Sequence, residues 1–223
     1  MKDLPEWWIK NWGTKPYAIT DCLEAMKKIP DKSIDLLITD PPYGIGKAGV
    51  VGDANLNAFM DSLPHISRIM KDDSWLVFFV PNGRLDEILK IIPFKYVWSC
   101  MIFYSNMERI NHSPIGRSMT SLYLVFKKGT PKVNKRIWDI QKYVYHGEDV
   151  VKHPSPKPAI VFERLCTAFS KEGEIVFDPF LGSGTLLLAA RKTRRMGIGF
   201  EINGEYEETI KSRGMLNIRM LDV

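Results

Sequence analysis

Cysteine is scarce in this chain. The three present, Cys22, Cys100 and Cys166, are widely separated and form no C-x-x-C pair, so neither a disulfide framework nor a zinc site is indicated. The histidines His65, His112, His146 and His153 show no ligand spacing either, and the site is expected to work without metal. No run approaches the roughly 20 apolar residues that a membrane-spanning helix requires. The acidic start Met1-Lys2-Asp3-Leu4-Pro5-Glu6 does not read as a secretory signal. A reducing, cytoplasmic setting with no membrane partner is therefore expected. Internal repeats and low-complexity tracts are absent as well, which excludes a solenoid.

What is present reads as an α/β chain. Its 223 residues suffice for one domain with a substantial core, and a net charge of +5 is compatible with a polyanionic partner. Ile34 to Thr39 (IDLLIT) and Trp75 to Val80 (WLVFFV) are short apolar runs of the kind buried on both faces of a parallel sheet. Further strands are expected at Tyr17 to Asp21, Val97 to Tyr104, Leu122 to Phe126, Glu174 to Phe177 and Gly197 to Phe200. Helices are expected at Ala54 to Met70, Arg84 to Ile92, Pro158 to Phe169, Thr185 to Lys192 and Glu205 to Ser212. This alternation predicts a mostly parallel sheet with helices on both faces.

Two stretches break the alternation, Ser105 to Thr120 and Lys127 to Lys152. The second holds seven cations against three acids, so +4 of the chain's +5 sits there, with Trp138, Tyr143 and Tyr145 among them. Cations interleaved with aromatics suit phosphate neutralisation and base contacts; a solvated connector with its aromatics on the core is the equal alternative.

Two glycine patterns compete for a cofactor. Gly44, Gly46 and Gly49 spell G-x-G-x-x-G, but two prolines and an aromatic separate them from the strand and no helix starts after them, so a dinucleotide site is not expected there. Phe177-Asp178-Pro179-Phe180-Leu181-Gly182-Ser183-Gly184-Thr185 is better placed, running straight from a strand into a helix. Neither the dinucleotide spacing, which wants a small residue at Leu187, nor the P-loop G-K-[ST] is met. Glu201 ends the next strand about 20 residues after the glycines, where the ribose of a nucleoside would be held.

Together, Asp40-Pro41-Pro42-Tyr43, His153-Pro154-Ser155-Pro156-Lys157-Pro158, Asp178-Pro179-Phe180 through Gly184-Thr185, and Glu201 resemble the amino-group DNA methyltransferases that use S-adenosyl-L-methionine. With the tetrapeptide first and the cofactor glycines near the C-terminus, the order is similar to the permuted β group, and the likeness extends from about Tyr17 to Arg213. It implies the class I methyltransferase fold: a Rossmann-like, seven-stranded, mostly parallel sheet with one antiparallel strand, as a single catalytic domain over residues 1–223. A short DNA-recognition insertion is expected at about 127–152.

The resemblance also assigns roles. Asp40, Pro41, Pro42 and Tyr43 are the expected catalytic set. A nucleobase amine is a weak nucleophile because its lone pair is delocalised, and two rigid acceptors, the Asp40 carboxylate and a proline-fixed carbonyl, would turn that lone pair towards an electrophilic methyl. Tyr43 would stack on the extruded base. Asp178, Gly182, Ser183, Gly184 and Thr185 would hold the methionine end of the cofactor and Glu201 the ribose. Asp21 and Cys22 would lie beside the adenine, Phe180 and Phe200 would form apolar walls, and Lys157 would pair with the cofactor carboxylate. For Asp21 a helix cap, and for Lys157 a surface position, serve as alternatives. Lys132, Lys135, Arg136, Arg109 and Arg117 are the candidate contacts to double-stranded DNA.

The expected activity is methylation of the adenine N6 amine, in a restriction-modification setting with a separately acting endonuclease or in a phage. Cytosine N4 is the nearest rival, methylation of RNA or of a glutamine amide a more distant one, and a DNA-binding protein with a degenerate pocket the alternative from another class. Phe103-Tyr104-Ser105-Asn106 lacks the lysine that the family carries after this strand. The short reader suggests a short site, shared recognition in a homodimer, or readout by loops. Trp7, Trp8 and Trp12 would mark either a subunit contact or the covered edge of a core.

Overall fold

The apolar runs become the middle of a sheet. The computed structural model describes residues 4–44, 46, 55–106, 118–144 and 156–215. Their strands are β1 (Tyr17–Ile19), β2 (Ile34–Thr39), β3 (Met70–Val80), β4 (Lys95–Tyr104), β5 (Thr120–Lys128), β6 (Ile140–Tyr143), β7 (Ile175–Asp178) and β8 (Met196–Glu201). The helices are α1 (Glu6–Trp12), α2 (Cys22–Met26), α3 (Asn57–Ile69), α4 (Leu85–Ile91), α5 (Ala159–Phe169), α6 (Thr185–Lys192) and α7 (Glu207–Met215).

The strands form one sheet in the order β1-β8-β7-β2-β3-β5-β4-β6. All pairings are parallel except those of β5, which runs against both β3 and β4. Each parallel neighbour requires a crossover, and the crossovers cover the sheet on both sides. One face packs Trp8, Met26, Phe59, Ile66 and Ile88, from α1 to α4, against Leu37, Phe78 and Phe200. The other packs Phe162, Leu165, Leu186 and Ile210, from α5 to α7, against Ile38, Val77 and Val176. That is why β2 and the second half of β3 are apolar at nearly every position instead of alternating.

The single antiparallel strand agrees with expectation, whereas the sheet has eight strands where seven were expected. The additional strand is β6, and it comes from the basic segment. Met101 to Tyr104 of β4 pair with Ile140 to Tyr143, and the buried Gln141 amide donates to the Tyr123 hydroxyl at 2.6 Å. The segment is thus stitched to the sheet edge from Ile140 to Tyr143.

One feature of this topology positions a ligand. From β2 the chain leaves through α3 on one face, and from β7 it leaves through α6 on the other. The two strands lie side by side, with Leu36 opposite Val176 and Leu37 opposite Phe177. Between strands whose connections diverge, a crevice opens at the carboxyl ends. Asp40 follows β2 and Asp178 ends β7, so both acids stand at that crevice.

Candidate active site

The rim of the sheet carries acids at the ends of adjacent parallel strands: Asp178 and Glu201 close β7 and β8, Asp40 follows β2, and Asp21 lies just beyond β1. Asp178 is buried. It accepts from the Thr39 hydroxyl at 2.6 Å and from the Phe180 amide at 2.9 Å. Burial pushes its carboxyl up to about 7, against the pull of these two hydrogen bonds, and the charges of Asp40 and Glu201 add to the rise. Glu201 is buried too and raised for the same first reason. Its two oxygens accept from the Gly182 amide at 2.7 Å and the Asn203 amide at 2.8 Å. A carboxylate oxygen has two acceptor directions, so the carboxylate retains capacity for a hydroxyl.

The turn from β7 to α6 is held by the Leu181 amide donating to the Phe200 carbonyl at 2.8 Å and the Gly184 amide donating to the Leu181 carbonyl at 3.0 Å. Gly184, at the N-cap of α6, has φ +76°, a left-handed conformation that a side chain would strain. Ser183 and Thr185 are buried with their hydroxyl oxygens 3.1 Å apart. Arg213 of α7, also buried, donates to them at 2.9 Å and 2.5 Å. Sequence reasoning missed Arg213, since one arginine on a polar helix resembles any surface cation.

The Asp-Pro-Pro-Tyr corner is stiff. Pro41 and Pro42 are buried, and Arg84, just ahead of α4, donates to the Tyr43 carbonyl at 2.6 Å and the Gly44 carbonyl at 3.2 Å. Gly44 has φ +67°, and a Cβ there would lie 2.6 Å from the Asn55 backbone. Arg84 also had no sequence signal. The Lys157 ammonium forms an ion pair with Asp40 Oδ2, with the two side chains 11% and 29% exposed, and sits 5.3 Å from the centre of the Phe79 ring. Lys157 is thus neither a surface residue nor remote from Asp40.

Two expectations need correction. Tyr43 does not present an open stacking face: it is buried and meets Phe59 edge-on at 6.2 Å, within the core beneath α3. Phe200 is not a wall of the crevice. It is 0% exposed, stacked on Trp8 at 5.3 Å and contacting Trp12 at 5.0 Å, because its place in β8 turns it to the face that α1 covers. Asp21 accepts from the Leu23 amide at 2.8 Å as the N-cap of α2, the capping alternative. Behind it Cys22 is buried and its thiol is pushed up to about 12 by burial, with Asp21, Asp178 and Glu201 adding to the rise; it offers an apolar wall beside the acids. Phe180 packs half-buried on the core.

The first part of the basic segment, Lys132 to Arg136, runs along the far end of the molecule. Asn134 donates to the Ala168 and Ser170 carbonyls at 2.8 Å and 2.6 Å, and Trp75 donates to the Lys132 carbonyl at 3.1 Å. Lys132, Lys135 and Arg136 therefore flank the C-terminal end of α5, whereas Lys157 and Asp40 stand at its start. The 11 residues of α5 separate the two ends by roughly 16 Å. A groove of about 350 Å³ between Trp98, Val125, Trp138 and Phe169 also lies at this far end. Arg109, Arg117 and His153 to Ser155 fall outside the described residues. Among the described residues no cluster of metal-ligating side chains occurs, and no helix is long and apolar enough to cross a membrane.

Strand order, the lone antiparallel β5, and a glycine turn facing an Asp-Pro-Pro corner across the switch point define a class I methyltransferase. The chain belongs to the N6/N4 methyltransferase family, whose model, described as DNA methylase, matches residues 94–212. It is 30% identical over 240 residues to the type II methyltransferase M.HpaI of Haemophilus parainfluenzae, covering 87% of this chain and 72% of that protein. It is 29% identical over 245 residues to the DNA adenine methyltransferase YhdJ of Escherichia coli (strain K12), covering 91% and 81%. Among solved structures, the M1.HpyAVI–SAM complex superposes with a TM-score of 0.71 at 25% identity, over 90% of this chain and 98% of that one. The cytosine-N4-specific PvuII DNA methyltransferase matches in fold, with a TM-score of 0.71 at 20% identity over 92% and 87%.

The M1.HpyAVI structure holds SAM. The residues present in this chain fit that cofactor. The turn at Gly184 has no side chain to obstruct a ligand, Glu201 keeps acceptor capacity for hydroxyls, and Asp178 supplies a carboxylate for an ammonium group.

Proposed function

We propose that this chain transfers a methyl group to the N6 amine of adenine in double-stranded DNA, as a permuted β-group enzyme working as one catalytic unit over its whole length. The observation that carries the proposal is the contact between Thr39 and Asp178, 2.6 Å. It ties the residue before the Asp-Pro-Pro corner to the last residue before the glycine turn, so the amine acceptor and the cofactor turn share one rim.

S-adenosylmethionine supplies the electrophilic methyl. Asp40 and a proline-fixed backbone carbonyl accept the two N–H groups of an extruded base, turning the nitrogen lone pair to the methyl. As the N–C bond forms and the S–CH3 bond breaks, leaving its electron pair on the thioether sulfur of S-adenosylhomocysteine, the nitrogen becomes acidic and its surplus proton passes to the Asp40 carboxylate or to water. Pro41 and Pro42 lack N–H groups and hold fixed φ, so the acceptors need little reorganisation. Asp178, Gly182, Ser183, Gly184 and Thr185 hold the methionine end, with Ser183 and Thr185 oriented by Arg213, and Glu201 holds the ribose. Tyr43 would contribute to stacking only by leaving its pocket against Phe59, so its role here is as a wall of the corner.

Aspartate as the first residue of the tetrapeptide supports adenine, as does the similarity to a protein named as a DNA adenine methyltransferase. A restriction-modification setting is proposed from the type II relatives. DNA contact is assigned to the loop containing Arg109 and Arg117. For Lys132, Lys135 and Arg136 the connector reading is favoured by their place at the far end of α5. The tryptophans give a homodimer no support, since Trp8 and Trp12 pack against Phe200.

Nucleoside mass analysis of DNA incubated with the protein and S-adenosylmethionine tests the proposal. N6-methyladenine is expected. N4-methylcytosine alone would move the chain to the rival specificity, and no cofactor heat at millimolar ligand would make it a binding module.

A further inference from the structure

We infer that Lys157 is a positioning residue that gates Asp40: without cofactor its ammonium neutralises the Asp40 carboxylate, and the carboxylate of the bound cofactor draws it away, so that Asp40 becomes free to accept the target amine. The inference rests on the proposed function and adds an order of events to it.

Three observations carry it. The ion pair puts Lys157 on the oxygen-bearing end of the residue that must receive the amine. Lys157 is deeply placed, 11% exposed, over the face of Phe79 at 5.3 Å, where solvent screens its charge little. Its backbone is held at the cofactor turn: the Thr185 hydroxyl lies 3.4 Å from the Lys157 carbonyl, and Arg213 fixes that hydroxyl at 2.5 Å. The lysine therefore roots at the start of α6, where the methionine end is assigned, while its ammonium reaches across to β2. A carboxylate arriving at that turn competes with Asp40 for one cation. The cofactor carboxylate takes it over, and the target amine finds a free acceptor only when the methyl donor is in place.

The test is a cofactor-binding cycle read by calorimetry with S-adenosylhomocysteine, which needs neither DNA nor turnover. Asp40→Asn should tighten binding about tenfold, because Lys157 loses its internal partner, and Lys157→Met should weaken it by a similar factor. In the double variant the Asp40→Asn gain should vanish. A decarboxylated analogue, 5′-deoxy-5′-(3-aminopropylthio)adenosine, should bind all four proteins with no such pattern. If the gain from Asp40→Asn persists in the Lys157→Met background, it is plain charge repulsion and the gate is overturned; the same follows if Asp40→Asn changes nothing. Should Lys157→Met not fold by thermal melting, Lys157→Gln replaces it in the same cycle. Failure of the wild-type protein to bind S-adenosylhomocysteine would strike at the proposed function instead, so the two failures are distinguishable.

Discussion

Thr39 and Asp178, separated by 139 positions in the chain, meet through a hydrogen bond of 2.6 Å at the junction of β2 and β7. The bond supports a carboxylate that burial pushes towards neutrality, which makes this rim sensitive to pH.

Asp178 links stability to pH. An unfolded aspartate titrates near about 3.9, whereas in the fold Asp178 is raised to about 7. Between these values the folded state binds the extra proton, so the contribution to stability is fully present below the lower value and is lost as pH rises through the upper one. The melting temperature of the cofactor-free protein should fall from pH 5 to pH 8, and Asp178→Asn should flatten that fall. Identical profiles for the two proteins would remove Asp178 as its source.

Removing the acceptor should separate chemistry from binding. Asp40→Ala is expected to lose at least about a hundredfold in transfer rate, the scale of one preorganised electrostatic partner, while S-adenosylhomocysteine still binds. Single-turnover methyl transfer alongside calorimetry measures both. Turnover at the wild-type rate would take Asp40 out of the mechanism.

Trp8 should behave as core. It is buried, donates to the Lys15 carbonyl at 2.8 Å and stacks on Phe200. Trp8→Ala should destabilise by about 3–5 kcal/mol in denaturant unfolding and leave the sedimentation state unchanged. A shift in association with little loss of stability would restore the subunit-contact reading.

Neutralising Lys132, Lys135 and Arg136 together should leave the salt dependence of DNA binding nearly as it is, because these side chains flank the end of α5 remote from Asp40. Were they bound to the DNA backbone, each phosphate left unneutralised would lower the slope by roughly 0.9 log units. A drop of two or more such steps would place DNA across the far end.

The elements with unbroken apolar runs were readable in the chain itself. Ile34–Thr39 and Thr185–Lys192 fall where expected, and Asp178, Glu201 and the glycine turn are where the run-and-turn pattern placed them. Shorter or polar elements were not. β6 reads Ile-Gln-Lys-Tyr, without the alternation that marks a strand, and forms because β4 offers a free edge. α2 has 5 residues, too few for a helical period to register. Arg84 and Arg213 act through carbonyls and hydroxyls that the chain brings near only after it folds.

Local sequence determined where strands end, which turns need glycine, and that an aspartate would precede two rigid prolines, because burial pattern and backbone restriction act over a few residues. Tertiary structure alone decided that Lys157 meets Asp40 across 117 positions, that Phe200 faces Trp8 and not the crevice, and that Lys132, Lys135 and Arg136 lie at the opposite end of α5. Those outcomes depend on which strand edge and which sheet face each segment finds, and such pairings are selected by long-range packing free energy that no short stretch encodes.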